Sequence, residues 1–245
     1  ILREITEKVL KNKVLFKENY IKKNQSFRQL MNKEIPWNTW GSFGINLALG
    51  SKLDKIATAK QYMYLPDYVY GGFKNATVTR NSKIEKLIKI DRYILKYKEL
   101  KIKPSFFNPF IIFTLILLFG IYITYKDVKR KKRTKWFDFI LFFFTGIIGV
   151  AIVFLWFFTN HTTTPNNFNF LWAFAPNVIV AFYIVKEASK SWVKKYVKTL
   201  IVLLLIIPII WILKIQLLPL ASLPFILLLS IRFLFLSNCL LTSKK

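Results

Sequence analysis

Five apolar runs, separated by short loops rich in lysine and arginine, fill the chain after Pro104. A helix of about 20 apolar residues crosses the hydrocarbon layer of a bilayer. Lipid offers the backbone no hydrogen-bond partners, so each run is committed to helix or to a closed barrel. The expected spans are about 106–125, 136–158, 168–185, 199–213 and 223–241. Pro104 opens the first, and the polar stretch 159–167 ends the second.

The loops set an orientation. Residues 126–135, 186–198 and the Lys244–Lys245 tail hold seven, five and two basic side chains; the loop around His161 holds none and the turn at Lys214 one. That asymmetry puts the basic loops and the C-terminus in the cytoplasm. Residues 1–103 and the His161 loop then lie on the outer side. Residues 1–103 are themselves basic, with 22 Lys and Arg against 9 Asp and Glu, but long domains translocate largely regardless of charge. The expected domains are therefore 1–103, outer and mostly helical, and 104–245, transmembrane. The fold class is mainly α.

A net charge of +26 invites a nucleic-acid reading. The chain carries no recognisable nucleic-acid module and no zinc-finger spacing, so no nucleic acid is expected. With Cys239 and His161 single in their kind, no intrachain disulfide and no cysteine-based metal site can form. No metal or cofactor is expected. The chain opens at Ile1, and it reads as one whose front is missing.

Several residues inside the spans carry alternatives. Asp138 sits about one turn inside the second span, where a hydrated carboxylate paired with Lys135 and Arg133 is the plain expectation. A buried pair with Arg232 in the fifth span is the sharper one, against simple snorkelling of Arg232. Thr145, Gly146 and Gly149 suit close helix packing. Pro208 kinks the fourth span, and Trp136, Trp156, Trp172 and Trp211 suit interfacial belts. Cys239, near the cytoplasmic end, reads as a small buried apolar residue.

In the outer region, Leu2, Ile5 and Val9 form one stripe of a helix over residues 1–11. Ser26 can cap a second helix holding Phe27, Arg28 and Leu30. Pro36-Trp37 opens a third, with Trp37, Trp40, Gly44, Leu47 and Ala48 on one face and Gly50 as its stop. A fourth starts near Thr58 and ends at Pro66. Asp67 caps a turn through Tyr68, Val69 and Tyr70 that Gly71-Gly72 breaks. Residues 74–103 admit short strands or a surface helix. The chain shows no phosphate-binding glycine loop, metalloprotease HExxH, hydrolase GxSxG or paired carboxylates.

Particular words recur in one order: Ser26-Phe27-Arg28; Pro36-Trp37; Phe43 to Ser51, with Asp54; Met63-Tyr64-Leu65-Pro66-Asp67-Tyr68. After the first span come Asp138, Gly146-Ile147-Ile148-Gly149, Phe154-Leu155-Trp156, Thr159-Asn160-His161 and Asn167 to Trp172. Over about residues 1–185 this resembles the C-terminal two-thirds of a Bacteroidota membrane-protein family that includes the lipoprotein N-acyltransferase of those bacteria. The resemblance implies an outer-facing thiol enzyme, papain-like or NlpC/P60-like, anchored by helices in the bacterial inner membrane with its N-terminal region periplasmic. In that family a nucleophilic cysteine and a partner histidine lie ahead of the Phe-Arg word, and the cysteine stands just ahead of an Arg-Glu that Arg3-Glu4 match. The resemblance thus puts both catalytic groups outside residues 1–245, and neither role passes to Cys239 or His161.

The implied partners are membrane lipids and lipoprotein substrates, with the oligomeric state left open. His161, Asn167 and Asn169 are candidates to orient a headgroup; the alternative is a loop histidine with side-chain caps. Arg28 is a further substrate-binding candidate, or a buried ion-pair partner. The rival from another class is a non-catalytic membrane scaffold with a basic, partner-binding outer region.

Overall fold

The computed structural model describes residues 1–11, 13–96, 105–186 and 191–242. Pro104, the stretch 97–103, positions 187–190 of the second basic loop and the Lys244–Lys245 tail lie outside the described residues. The chain divides into two compact units, one of residues 1–27 and 55–101, the other of residues 28–54 and 102–245. The sequence division at residue 103 is a different one, because 28–54 packs with the long helices.

The first unit is small. Helix α1 (Leu2–Val9) buries none of its residues, and its stripe is open, with Leu2, Ile5 and Val9 61%, 53% and 72% exposed. Strand β1 (Val14–Leu15) is the edge of a three-stranded antiparallel sheet of order β1-β2-β3 that also includes β2 (Thr77–Arg80) and β3 (Lys83–Lys86). Val14 pairs with Val78, and Arg80 with Lys83. Asn81 and Ser82 both take positive φ, 47° and 59°, as a two-residue hairpin requires if its twist is to match its strands. Within the mixed stretch after Lys74, residues 77–80 and 83–86 are thus strand.

In the second unit, α2 (Phe27–Glu34) enters from the first and contributes Arg28 and Leu30 to the interior. Helix α3 (Trp40–Ala48) starts later than Pro36-Trp37 suggests, because the Thr39 hydroxyl accepts from Ser42 N at 3.1 Å and fixes the first turn. Its buried face is Ser42, Phe43 and Asn46, not the tryptophan side; Trp40 is exposed and donates its indole N–H to Phe107 O at 2.8 Å. Gly50 does not end the helix through a left-handed turn, since no described glycine has positive φ. A Cβ there would meet Pro165 O at 2.0 Å, so Gly50 is required by a close backbone approach.

Back in the first unit, a capping box between Thr58 and Gln61 starts the single turn α4 (Ala59–Tyr62), as tied reciprocal donors should. Helix α5 (Pro66–Asn75) begins at Pro66 and runs straight through Gly71-Gly72. The glycines do not break it, because they make room: a Cβ on Gly72 would lie 2.1 Å from Met63 Cε and 3.5 Å from the Tyr20 ring. Phe16, Ala57, Ala59, Tyr62, Ala76 and Val78 form this unit's core.

Among the described residues, four helices are long and apolar enough to cross a bilayer. They are α6 (Pro109–Arg130), α7 (Lys135–Phe157), α9 (Ser191–Ile212) and α10 (Leu223–Thr242). At 22 residues, α6 and α9 are each about 33 Å long. Helix α6 overruns its apolar run because Asp127 is not solvated: it accepts from Thr134 N and Thr134 Oγ1 at 2.8 and 2.6 Å and ties α6 to α7.

The third expected span is not a continuous helix. Residues 168–171 make a 3-10 turn, 172–176 are non-helical, and only α8 (Asn177–Ile184) is regular. The break falls against the middle of α7. A Cβ on Gly146 would strike Val178 N at 2.1 Å, and one on Gly149 would strike Ala173 O at 2.2 Å. Irregular backbone at such depth is tolerated when protein buries it, and these glycines let it in. Asn177 donates to Thr145 Oγ1 at 3.0 Å and accepts from Tyr196 Oη, so its buried amide is satisfied. Trp172 stands in this segment only 2% exposed; it is a core residue, not a belt residue.

Asp138 is likewise not a hydrated surface group. It is fully buried, and Arg232 Nε donates to its Oδ1 at 2.6 Å, while Arg232 Nη2 reaches Asp127 Oδ2 at 2.7 Å and Nη1 reaches Thr124 Oγ1 at 3.1 Å. Burying Arg232 without acceptors would be costly, and two helices, α6 and α7, supply them. Arg133 stays 3.7 Å from the other Asp138 oxygen.

Gly146→Leu should lower stability by about 1–3 kcal/mol or more, since backbone on the other side cannot yield. Gly44→Ala, in an exposed stretch of α3 with nothing within 4 Å of the new Cβ, should raise it by about 0.5–1 kcal/mol. Thermal unfolding in detergent micelles reads both; equal behaviour of the two variants would refute the packing argument.

Candidate functional site

A second set of buried polar residues of the second unit gathers at the end of the helices remote from the basic loops. Arg28 is the centre. Its Nε donates to both Asp54 oxygens at 3.0 Å, Nη1 to Asn46 Oδ1 at 2.9 Å, and Nη2 to the carbonyls of Leu49 and Gly50 at 3.0 and 2.8 Å. The guanidinium is wholly buried. Its fork geometry is spent on protein acceptors, as suits a planar donor holding a turn. Burial pushes the Asp54 carboxyl up, with Arg28 pulling it back, and burial lowers Arg28 itself.

Asn167 and Asn169 join this cluster. Asn167 Nδ2 donates to Leu47 O at 2.7 Å and to Ala48 O at 3.1 Å, and its Oδ1 accepts from Asn169 N and from Gln216 Nε2. Asn169 Nδ2 reaches Asn46 O and Leu47 O, both at 3.2 Å. These side chains close the C-terminal end of α3, whose last carbonyls have no helical partner. Gln216 Oε1 accepts from Phe168 N at 2.8 Å, and backbone bonds run from Gly50 N to Thr163 O and from Ser51 N to Asn166 O, each 3.0 Å.

His161 is not part of this set. It is exposed, and its Nδ1 lies 2.9 Å from Thr159 Oγ1. Of the four residues singled out from the sequence, the structure brings Arg28, Asn167 and Asn169 together and leaves His161 on the loop beside them. Asn46, Asp54 and Gln216 complete the cluster. Their signal in the sequence is a polar side chain inside an apolar stretch, which must find partners if it is buried.

The first unit has its own concavity. A cavity of about 880 Å³ is lined by Leu2, Phe27, Met63, Tyr64, Val69 and Phe73, among others, with Arg3, Glu4 and Lys60 as its charged members. Lys60 Nζ and Glu4 Oε1 are 2.7 Å apart, and the Lys60 hydrogen bond holds the Glu4 carboxyl below its usual range. Arg3 Nε bonds Glu7 at 2.8 Å. These charges are thus engaged in ion pairs, and most of the remaining lining is apolar. Pockets of this size and polarity accept small amphiphilic molecules.

Long apolar helices, a buried ionic cluster among them and a polar cluster at one end define a multi-pass membrane protein. A family model for the Lnb transmembrane domain matches residues 101–245. The chain belongs to that family. Neither a curated protein nor a solved structure matches the chain.

Arg28→Met should cost about 3–5 kcal/mol, because Asp54 is left as an unpaired buried charge. Arg28→Lys keeps the charge but cannot span all the acceptors, so it should fall between Arg28→Met and the parent chain. Denaturant titration in micelles checks the order; a parent-like Arg28→Met would show that the cluster is ornamental.

Proposed function

We propose that this chain is the membrane-anchored portion of a lipoprotein N-acyltransferase, working at the outer face of a bacterial inner membrane. Membership of the Lnb family supports the membrane part of this reading. The observation that carries the rest is the apolar cavity beside α1, of a size for an acyl chain and bounded by Leu2, Phe27, Val69 and Phe73. The resemblance sets a nucleophilic cysteine just ahead of α1 and a histidine further upstream. A thiol at the N-terminal end of a helix feels the positive end of its dipole, which favours thiolate.

The chemistry then runs in two steps. The thiolate attacks an ester carbonyl of a phospholipid; the acyl C–O bond breaks, the lysolipid oxygen takes a proton from the histidine, and a thioester forms. The α-amine of a lipoprotein's N-terminal cysteine attacks that thioester, the C–S bond breaks, an amide forms, the now neutral histidine takes the proton the amine loses, and the thiolate leaves. Both substrates sit in the outer leaflet, so a site that faces that leaflet needs no transfer across water. The basic residues of the first unit favour anionic headgroups, by about 1 kcal/mol for each well-placed charge.

In this reading His161, exposed on its loop, is the residue that meets a headgroup, while Asn167, Asn169 and Arg28 hold that loop and α3 in place. The exposed stripe of α1 favours a second reading, a scaffold that docks a partner protein on Leu2, Ile5 and Val9.

The longer protein carrying the cysteine, reconstituted with phospholipid and a diacylated lipoprotein, should block the lipoprotein's N-terminal amine by acylation, read by mass spectrometry. Val69→Trp should fill the cavity and slow the transfer by about tenfold or more, at unchanged stability. Residues 1–245 alone, whose single thiol Cys239 lies in α10, should transfer nothing. Absence of transfer by the longer protein, with partner capture lost on Leu2→Glu/Val9→Glu substitution, would favour the scaffold.

A further inference from the structure

Two concavities of the second unit meet at Trp211. One, of about 250 Å³, is lined by Asn32, Trp37, Ser42, Asn46, Trp211 and residues 217–220. The other, of about 350 Å³, is a groove between α9 and α10, from Ile201 and Leu204 past Pro208 to Trp211 on one wall, and Leu223, Leu227, Ser230 and Leu234 on the other. The stretch from Ile201 to Trp211 is about 15 Å of helix. Ser230, the only hydroxyl in the groove, donates to its own helix at Ile226 O, 3.0 Å away, so the groove presents hydrocarbon.

The smaller concavity is different in kind. Asn32 accepts from Asn46 Nδ2 at 2.9 Å, which leaves its own amide N–H groups without an acceptor among the described residues. The Trp211 indole N–H also lacks one there. Ser42 Oγ stands 3.5 Å from Asn46 Nδ2 as an acceptor, with its own O–H uncommitted. Asn46 itself is saturated by Arg28, Asn32 and Ser42. The wall therefore offers spare donors and carries no carboxylate. A ligand that suits it is rich in acceptor oxygens and joined to a hydrocarbon tail.

The geometry points to a specific phospholipid site. The phosphodiester and ester oxygens sit among Asn32, Ser42 and Trp211, and one acyl chain lies in the α9–α10 groove. The site is at the helix ends remote from the basic loops, on helices long and apolar enough to cross a bilayer. Pro208 removes one backbone donor within α9 and, by the ordinary effect of proline in a helix, opens the wall on which the chain rests. Lipid held there is bound by the membrane unit alone, and the inference does not rest on acyl transfer.

Photolabelling tests it. The full chain is placed in phospholipid vesicles containing phosphatidylethanolamine with a diazirine in one acyl chain, and labelled peptides are mapped after irradiation. Labelling should concentrate on residues 201–211 and 223–234. Asn32→Asp keeps the acceptor for Asn46 but loses the donor, and Trp211→Phe keeps the ring but loses the N–H. The double variant should cut groove labelling by about tenfold or more at unchanged melting temperature. A diazirine-bearing long-chain alcohol, which lacks the phosphodiester, should label the groove weakly and ignore these substitutions. Labelling spread evenly over the exposed faces of α6, α7 and α9, or a double variant labelled like the parent, would overturn the site.

Discussion

A guanidinium that is buried must be surrounded by acceptors, and Arg28 organises its end of the second unit by this demand. Its acceptors come from α3, from the turn at Leu49–Gly50 and from Asp54. Those groups have to converge on it, so residues 28–54 fold as a closed loop around one side chain. The loop's outer carbonyls are then taken by Asn167 and Asn169, and Gln216 bridges Asn167 and Phe168 N. Phe43 continues the contact as an apolar one, with its ring 5.1 Å from Phe113. Phe113 lies 5.5 Å from Phe225, which packs 5.8 Å from Trp172. Hydrogen bonds at the rim and aromatic packing below it thus fix 28–54 to α6, α10 and the 168–172 segment.

The same rule, with different residues, governs the other end. Arg232 is satisfied by Asp127, Asp138 and Thr124, and its guanidinium lies 4.7 Å from the Phe235 ring centroid. Two buried arginines, one at each end of the helices, each collect carboxylate from a distant part of the chain. Neither is good evidence for stability by itself, since desolvation offsets much of the attraction. What they specify is register, because a shifted helix would leave a buried guanidinium or carboxylate without its partner.

Much of this was legible in the residues. Length of apolar run and position of lysine and arginine fix where α6, α7, α9 and α10 lie, because hydrocarbon thickness leaves little choice. The 168–185 run misled for a physical reason: its composition is that of a span, and only the partner glycines Gly146 and Gly149, on another helix, reveal that its backbone comes too close to be a regular helix. Gly50 and Gly72 misled in the same way, reading as breakers when they are points of close approach, while Gly71 meets only ordinary contact. The face of α3 differs from its sequence pattern because Asn46 and Ser42 look like surface residues until Arg28 binds Asn46 and Asn46 binds Ser42. The Asn167 and Asn169 words were visible, but their partners at Asn46 and Leu47 lie more than a hundred residues earlier. Local pattern carries no information about such pairings.

The account stands on residues 28–54 belonging to the helical unit. Hydrogen–deuterium exchange with peptide-level mass spectrometry, on the chain in micelles, measures this directly, because amides protected by one cooperative unit open together. Amides of residues 43–51 should exchange in the same slow window as those of residues 146–152 in α7. Exchange of 43–51 in step with the strand residues 77–86 of the first unit would contradict it.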